Sequence, residues 1–326
     1  YQCGIPFQFT ETKINNLAIS ARATDVGLYA EDDWTAKSNL TISYGVRLEA
    51  QNYINSSHDF APRISVAYGI PTKSGKTNTV VRAGFGIFYN RFGLGSIEGL
   101  IQNNGQNQIS KLYAFPGSGC TLDASSMATS ACTAGMGASA GKSIISAAGP
   151  GLRSSYTIQS AATVEQQVGK YASVTLTYLN AHGEHQFLTR TFPGGSDFCG
   201  NAAATGLVNC NQSEGVFRQN QLNTNINIRT PNGINIFGYY SANWANSNLS
   251  GITNPYNPAT DYGRAGFATR GRMVLGGTIP LPFQFTASPL IFVNSGSPYS
   301  ITTGEDNNLD GVVNDRPEFN PNPGPG

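Results

Sequence analysis

The stretch NLTISYGVRLEAQ, residues 39–51, alternates between apolar and polar residues along its whole length. Leu40, Ile42, Tyr44, Val46, Leu48 and Ala50 take the even positions, while Asn39, Thr41, Ser43, Gly45, Arg47, Glu49 and Gln51 take the odd ones. Successive side chains of a β-strand point to opposite faces, so the stretch is a strand with one apolar and one polar side. Two kinds of fold accept such a strand. In a sandwich of two sheets the apolar side looks inward. In a membrane barrel it looks out to lipid, and the polar side lines a wet interior.

The same pattern returns along the chain. Phe60, Ile64, Val66, Tyr68 and Ile70 oppose Ala61, Arg63, Ser65, Ala67 and Gly69, and Val81, Ala83, Phe85, Ile87 and Tyr89 oppose Arg82, Gly84, Gly86 and Asn90. Leu222, Ile226 and Ile228 stand against Gln219, Gln221, Asn223, Asn225, Asn227 and Arg229, and Ile234, Ile236, Tyr240 and Trp244 against Asn235, Tyr239, Ser241 and Asn243. Ala265, Phe267, Met273, Leu275 and Ile279 oppose Arg264, Arg270, Arg272 and Thr278. Weaker copies at 25–34, 156–168, 172–180 and 283–301 bring the expected total to about ten strands, many longer than the usual five or six residues.

The joins alternate in length. Those at 34–39, 70–79, 168–172, 229–233 and 279–283 are short and carry turn chemistry such as PTKSGK, PNG and PLP. Those at 93–155, 182–213, 246–263 and beyond 302 are longer, while 52–59, which falls in the same alternation, is no longer than the PTKSGK turn. Tight turns at one end and long loops at the other are the habit of outer-membrane barrels. A Gly-, Ala- and Ser-rich connection as long as 93–155 would be unusual inside a compact soluble domain.

Charge placement selects between the two folds. A Lys or Arg against lipid at mid-bilayer costs about 2–4 kcal/mol. Arg47, Glu49, Arg63, Arg82, Arg229, Arg264, Arg270 and Arg272 are all read on the polar side. The exceptions, Arg91 and Arg218, fall near the loop ends, where the cost drops to about 0–1 kcal/mol. The apolar side is therefore expected to face lipid. Only 12% of residues are charged, yet aromatics reach 10%, so the chain is not a disordered one. A net charge of +1 makes no electrostatic case for nucleic acid. No apolar run approaches the roughly 18 residues of a transmembrane helix. The start, YQCGIPFQFTETK, has no signal-peptide pattern, and the chain is read as a piece of a longer protein.

Few motifs carry chemistry. GIPTKSGKT places five residues between Gly69 and Gly75 where a phosphate-binding loop needs four, and strands rather than a helix flank it. His182, Glu184 and His185 lack the helical spacing of a zinc protease. With three histidines and no convincing Ser/His/Asp set, an enzyme is not expected. In DNNLDGVVND, Asp306, Asn308 and Asp310 precede Gly311 as in the opening of a calcium loop, and Asn314 and Asp315 could complete a shell of oxygens. The twelfth position is Pro317 and not Glu, which excludes an EF-hand and leaves an Asn/Asp-rich turn as the alternative to calcium. Cys120 with Cys132 and Cys199 with Cys210 are close-spaced pairs, read as two local disulfides against the alternative of reduced thiols; Cys3 is left over. The arginines on the polar side either steer a ligand or pair with carboxylates such as Glu49 and Glu165.

The segments GLYAEDDWTAKSNLTISYGVRLE, FAPRISVAYG and VVRAGFGIFYNRF, with YTIQSAATVEQQVGKYASVTLTYLNAHGEH, DYGRAGFATRGRMVLGGTIPLPF and SGSPYSITTGEDNNLDGVVNDRPEF, resemble the barrel of TonB-dependent outer-membrane receptors, the Oar-like group above all. The resemblance begins near residue 23 and covers nearly all of the remaining chain. It implies a barrel of about 22 strands plugged by an N-terminal domain. It also implies import of a siderophore, oligosaccharide or peptide into the periplasm, energised through the TonB complex. The chain departs from the family in showing no plug, no TonB-contacting box and no terminal aromatic strand.

The expected fold is thus all-β, an antiparallel up-and-down transmembrane β-barrel of which about ten to eleven strands are present. Residues 1–22 are a lead-in, 93–155 and 182–213 are long extracellular loops, and 302–326 is part of another. Arg47, Glu49, Arg63, Arg82, Glu165, Arg264, Arg270 and Arg272 are expected to face the lumen. The expected partners are outer-membrane lipid and the TonB complex. Two alternatives remain: a surface barrel for adhesion without import, and a soluble, calcium-dependent β-sandwich that binds carbohydrate.

Overall fold

The computed structural model describes residues 8–73, 77–114, 142–200, 205–304, 306–308, 310 and 312–317. Its framework is an antiparallel meander: β2 (Asp25–Lys37), β3 (Leu40–Gln51), β4 (Ser56–Pro71), β5 (Thr77–Asn90), β8 (Ser155–Val168), β9 (Ala172–Pro193), β10 (Leu207–Arg229), β11 (Asn235–Ser247), β13 (Gly271–Pro280) and β15 (Leu290–Asn294). Each pairs with the next in that order. Two-residue pieces, β12 (Gly263–Arg264) and β14 (Thr286–Ala287), attach to β11 and β13. The sheet is open: among the described residues β2 pairs only with β3, and β15 only with β13.

The joins after β2, β4, β8 and β10 are short and lie at one end of the meander, while the equally short join 52–55 between β3 and β4 lies at the other. The turn after β10 shows how sequence sets such a join: Gly233 takes φ 83°, a conformation that costs only glycine nothing, and Thr230 N–H donates to the Ile234 carbonyl to close the hairpin. At the other end the connections build a second, smaller layer. After β5 come α1 (Leu94–Gln102), β6 (Gln108–Ala114) and β7 (Lys142–Ala148). Strand β1 (Gln8–Ile14) pairs antiparallel with β6, β6 with β7, and β7 runs parallel to the first residues of β10. Segment 93–155 is therefore not simply a loop, and the lead-in 1–22 contains the edge strand of this layer.

The expected loop 182–213 is corrected likewise. Strand β9 continues to Pro193 and β10 begins at Leu207, paired almost throughout. Alternation is a signal of unlike surroundings on a strand's two faces. Beyond the apolar band those surroundings cease to differ, and the pattern fades while the hydrogen bonds continue.

The described residues form no single core. Small clusters form at the long-loop end, one around Phe192, Cys199, Val208 and Cys210, another around Phe92, Ile97 and Leu152. On the meander itself Leu28, Leu48, Phe60, Ile64, Ile226 and Met273 are exposed, all on one face of a single sheet. Among the described residues no second sheet packs on them.

Candidate functional site

Register places the polar side chains in continuous rows. Glu31, Gly45, Arg63, Gly86, Gln159, Ala181 and Gln219 are direct neighbours across seven strands. Four residues nearer the short turns, Thr41, Ala67, Arg82, Thr163, Thr177, Asn223, Ser241, Arg272 and Asn294 form a parallel row of the same face. Arg47 and Glu49 share the parity of Gly45, and Glu165 that of Thr163. Arg270 lies just before β13, where its backbone carbonyl accepts from Asn243 N–H.

These side chains largely satisfy one another. Arg47 pairs with Glu49 along β3, and Arg82 Nη1 lies 2.8 Å from Glu165 Oε2 across β5 and β8. The second pair is about half exposed, which limits its stabilisation to about 1 kcal/mol or less. The Arg63 guanidinium stacks 4.6 Å from the centroid of the Phe88 ring. Gly86 makes that possible, since a Cβ there would come within 3.0 Å of the ring and 3.3 Å of Arg63 Cγ. Arg270 and Arg272 have no carboxylate within ion-pair distance among the described residues. An amide ladder continues the face: Gln219 Nε2 donates to Asn243 Oδ1 at 2.9 Å, Gln221 Nε2 to Asn223 Oδ1 at 3.0 Å and to Ser241 Oγ at 2.8 Å. Over Ser43, Gly45, Arg63, Ser65, Gly84 and Gly86 lies a trough of about 880 Å³.

Arg264 does not join this face by register. It opposes Asn246, whereas Gly271 opposes Ala242, so the pairing slips by three residues between them. An odd slip inverts parity. The slip is taken up by residues 265–270, which fold over Ala245 and Phe217, and Arg264 Nη2 donates to the Ala268 carbonyl at 2.9 Å.

Asp32 is a polar residue the alternation did not single out. It opposes Tyr44 on the apolar face, and the Tyr44 hydroxyl donates to its carboxylate at 2.9 Å. The run Glu31–Asp33 was the available signal, because three consecutive acids must place one on the wrong side.

The long-loop end is braced by buried polar contacts. Arg190, only 5% exposed, donates from Nε to Gln212 Oε1, from Nη1 to the Pro255 carbonyl at 2.9 Å and from Nη2 to Glu214 Oε2 at 2.6 Å. Burial pulls its guanidinium below its usual pKa, opposed by the attraction of Glu214. Beside it Cys199 and Cys210 form a disulfide, and Phe192, Phe198 and Tyr256 pack ring on ring. Cys120, Cys132 and Cys3 lie outside the described residues.

The 306–315 segment uses its oxygens on its own backbone. Asp315 Oδ2 accepts from Asn307 N–H at 2.6 Å and Asn308 N–H at 3.0 Å, and Asp310 Oδ1 accepts from Val312 N–H at 2.8 Å. Asn308 and Asn314 donate to the carbonyls of Thr253 and Ile252, docking the segment on its neighbour. Burial, with Asp306 and Asp315 adding to it, pushes the Asp310 carboxyl above its usual pKa. Among the described residues no group of three or more His, Cys, Asp or Glu side chains is arranged to hold a metal ion. The contacts of the segment are those of an Asx-turn scaffold, and Asn314 Oδ1 is buried without a hydrogen-bond partner among the described residues.

Comparison with known proteins places this geometry. The outer membrane transporter YddB from Escherichia coli is 14% identical, with a TM-score of 0.59 over 87% of this chain and 35% of that one. The siderophore receptor PirA from Pseudomonas aeruginosa (12% identity, TM-score 0.45, 83% and 41% covered) superposes less closely. So does the FrpB iron transporter from Neisseria meningitidis (10%, 0.47, 79% and 30%). The chain thus spans about a third of the YddB chain. Comparison with curated proteins finds no match. The family model described as an outer membrane beta barrel domain matches residues 48–326. This chain belongs to the outer membrane β-barrel domain family and forms part of the wall of such a barrel in the bacterial outer membrane.

Proposed function

We propose that the chain is part of the barrel wall of a TonB-dependent importer, with its polar face turned to the lumen. The observation that carries this reading is the division of one sheet into an exposed apolar face and a polar face. The latter bears Arg47, Glu49, Arg63, Arg82, Glu165 and Arg272, the trough and the amide ladder. Lipid accepts the first face at no cost, and only water or a polar occupant accepts the second. Free edges at β2 and β15 cannot stand in hydrocarbon, so further strands of the same barrel complete the wall. Arg47 with Glu49 and Arg82 with Glu165 balance locally, whereas Arg63, which stacks on Phe88, and Arg272 have no carboxylate within ion-pair distance among the described residues and leave positive charge toward the lumen. A siderophore, oligosaccharide or peptide all fit this description. The test is uptake by the full-length protein in cells with and without an intact TonB complex. Import that stops when TonB is removed is expected. Uptake unaffected by TonB, or binding at the surface without uptake, would overturn the reading in favour of a channel or an adhesin.

A further inference from the structure

Asp32 is a carboxylate in the wrong place for its face. Its sequence neighbours Glu31 and Asp33 turn to the polar side, whereas Asp32 shares the apolar side of β2 with Leu28, Ala30 and Trp34. Beside it on β3 stands Tyr44, flanked along that strand by Ile42 and Val46. Asp32 lies five residues before Lys37, where β2 ends at a short join, which at a barrel strand's tilt is roughly 13 Å along the membrane normal. The apolar band of an outer-membrane barrel is about 25 Å tall, so Asp32 sits near its middle. Among the described residues no other carboxylate lies on the apolar side at that depth.

A charge against acyl chains is tolerated only when it is paired and hydrogen-bonded. On the polar side Glu49 and Glu165 each have an arginine, but Asp32, in the harsher surroundings, has only the Tyr44 hydroxyl, which donates to its Oδ2 at 2.9 Å. No donor reaches Oδ1 among the described residues. The vacant side of Asp32 is the free edge of β2, the edge that a further strand of the wall must cover. That strand passes about 4.8 Å away, and the side chain it sets opposite Asp32 starts about 5 Å from the Asp32 Cβ. We infer that the covering strand carries a Lys or Arg opposite Asp32 on the lipid side, and that this ion pair, with the Tyr44 hydroxyl, fixes the register of the seam. Either charge alone would be costly against lipid, and the two relieve each other in one register only. A slip of one residue sends the cation to the lumen and strands Asp32. The pair rests on the outward orientation of the apolar face and is independent of import.

The experiment uses the full-length barrel. Asp32→Cys is combined with single cysteines at successive positions of the strand that covers β2, and disulfide formation is read on a gel. A cross-link is expected at one lipid-side position, and that position holds Lys or Arg in the native sequence. Exchanging the charges then tests the pairing. Replacing the cation by Glu should lower the assembled fraction on a heat-modifiability gel about tenfold, and adding Asp32→Lys should restore it. Trp34→Cys, one row nearer the short join, reports the same register if Asp32→Cys fails to assemble. Any other residue opposite Asp32, no cross-link from either position, or no recovery in the exchanged pair would each overturn the inference.

Discussion

Arg190 illustrates the demands of a buried charge. Its three donor directions are each met, by Gln212, the Pro255 carbonyl and Glu214. Removing it orphans acceptors in a place water does not reach, whereas Glu214 is 55% exposed and can turn to solvent. Arg190→Ala should therefore destabilise the β9–β10 extension by about 3 kcal/mol, and Glu214→Ala by about 1 kcal/mol or less, as read by hydrogen exchange of residues 188–193. Equal losses would contradict the asymmetry. Asp310 carries the opposite lesson. Its folded pKa is raised, so ionisation costs the folded loop, and the loop is held more firmly as pH falls through the raised value than it is at neutral pH. Protection of the Val312 amide, corrected for intrinsic exchange, should increase on mild acidification, and Asp310→Asn should remove that dependence. Asp310 was singled out in the sequence for its oxygens; that they would be committed to Val312 N–H and Asn308 Nδ2 depends on a backbone path that residue spacing does not specify.

At the scale of elements, β10 belongs to two regimes. Below Phe217 it is a clean alternating strand, legible because lipid and water on its two sides demand different residues. Above it the register shifts twice, between Gln212 and Gly215 and between Gly215 and Phe217. Gly215 permits the bulge, as a Cβ there would stand 2.5 Å from Leu249 and 2.8 Å from the Gln186 carbonyl. Neither this bulge nor the three-residue slip at 265–270 leaves a mark in a period-two pattern, which is why 182–213 reads as loop and Arg264 reads as a partner of Arg272. The Cys199–Cys210 bridge ties the tip of the extension across a separation of 11 residues. Such a closure is worth roughly 3 kcal/mol. Cys210→Ser should make Gly194–Gly200 the first site of limited proteolysis while strands β2 to β5 remain intact. Unchanged cleavage at the tip would show that the aromatic packing holds it alone.

For the whole molecule, architecture was readable and occupancy was not. The meander, its short turns at one end and its two unlike faces follow from the placement of Leu40 through Gln51 and its repeats. The small layer of β1, β6 and β7 does not, because its strands are short and pair partly in parallel with a strand distant in sequence. Orientation yields a mutational contrast. Ile42→Arg puts a charge against lipid and should block assembly of the full-length barrel at a cost of about 2–4 kcal/mol, while Arg47→Leu should assemble, as a heat-modifiability gel would report.

The central claim is that the apolar face touches acyl chains and the polar face touches water. Adjacent positions on β10, Gln221 and Leu222, lie at mid-height on opposite faces and test it directly. Spin labels at Gln221→Cys and Leu222→Cys, in the full-length protein reconstituted in bilayers, report collision with oxygen dissolved in lipid and with a water-soluble nickel chelate. The account predicts that position 221 is relaxed by the chelate and position 222 by oxygen. The reverse assignment, or the same response at both, would contradict it.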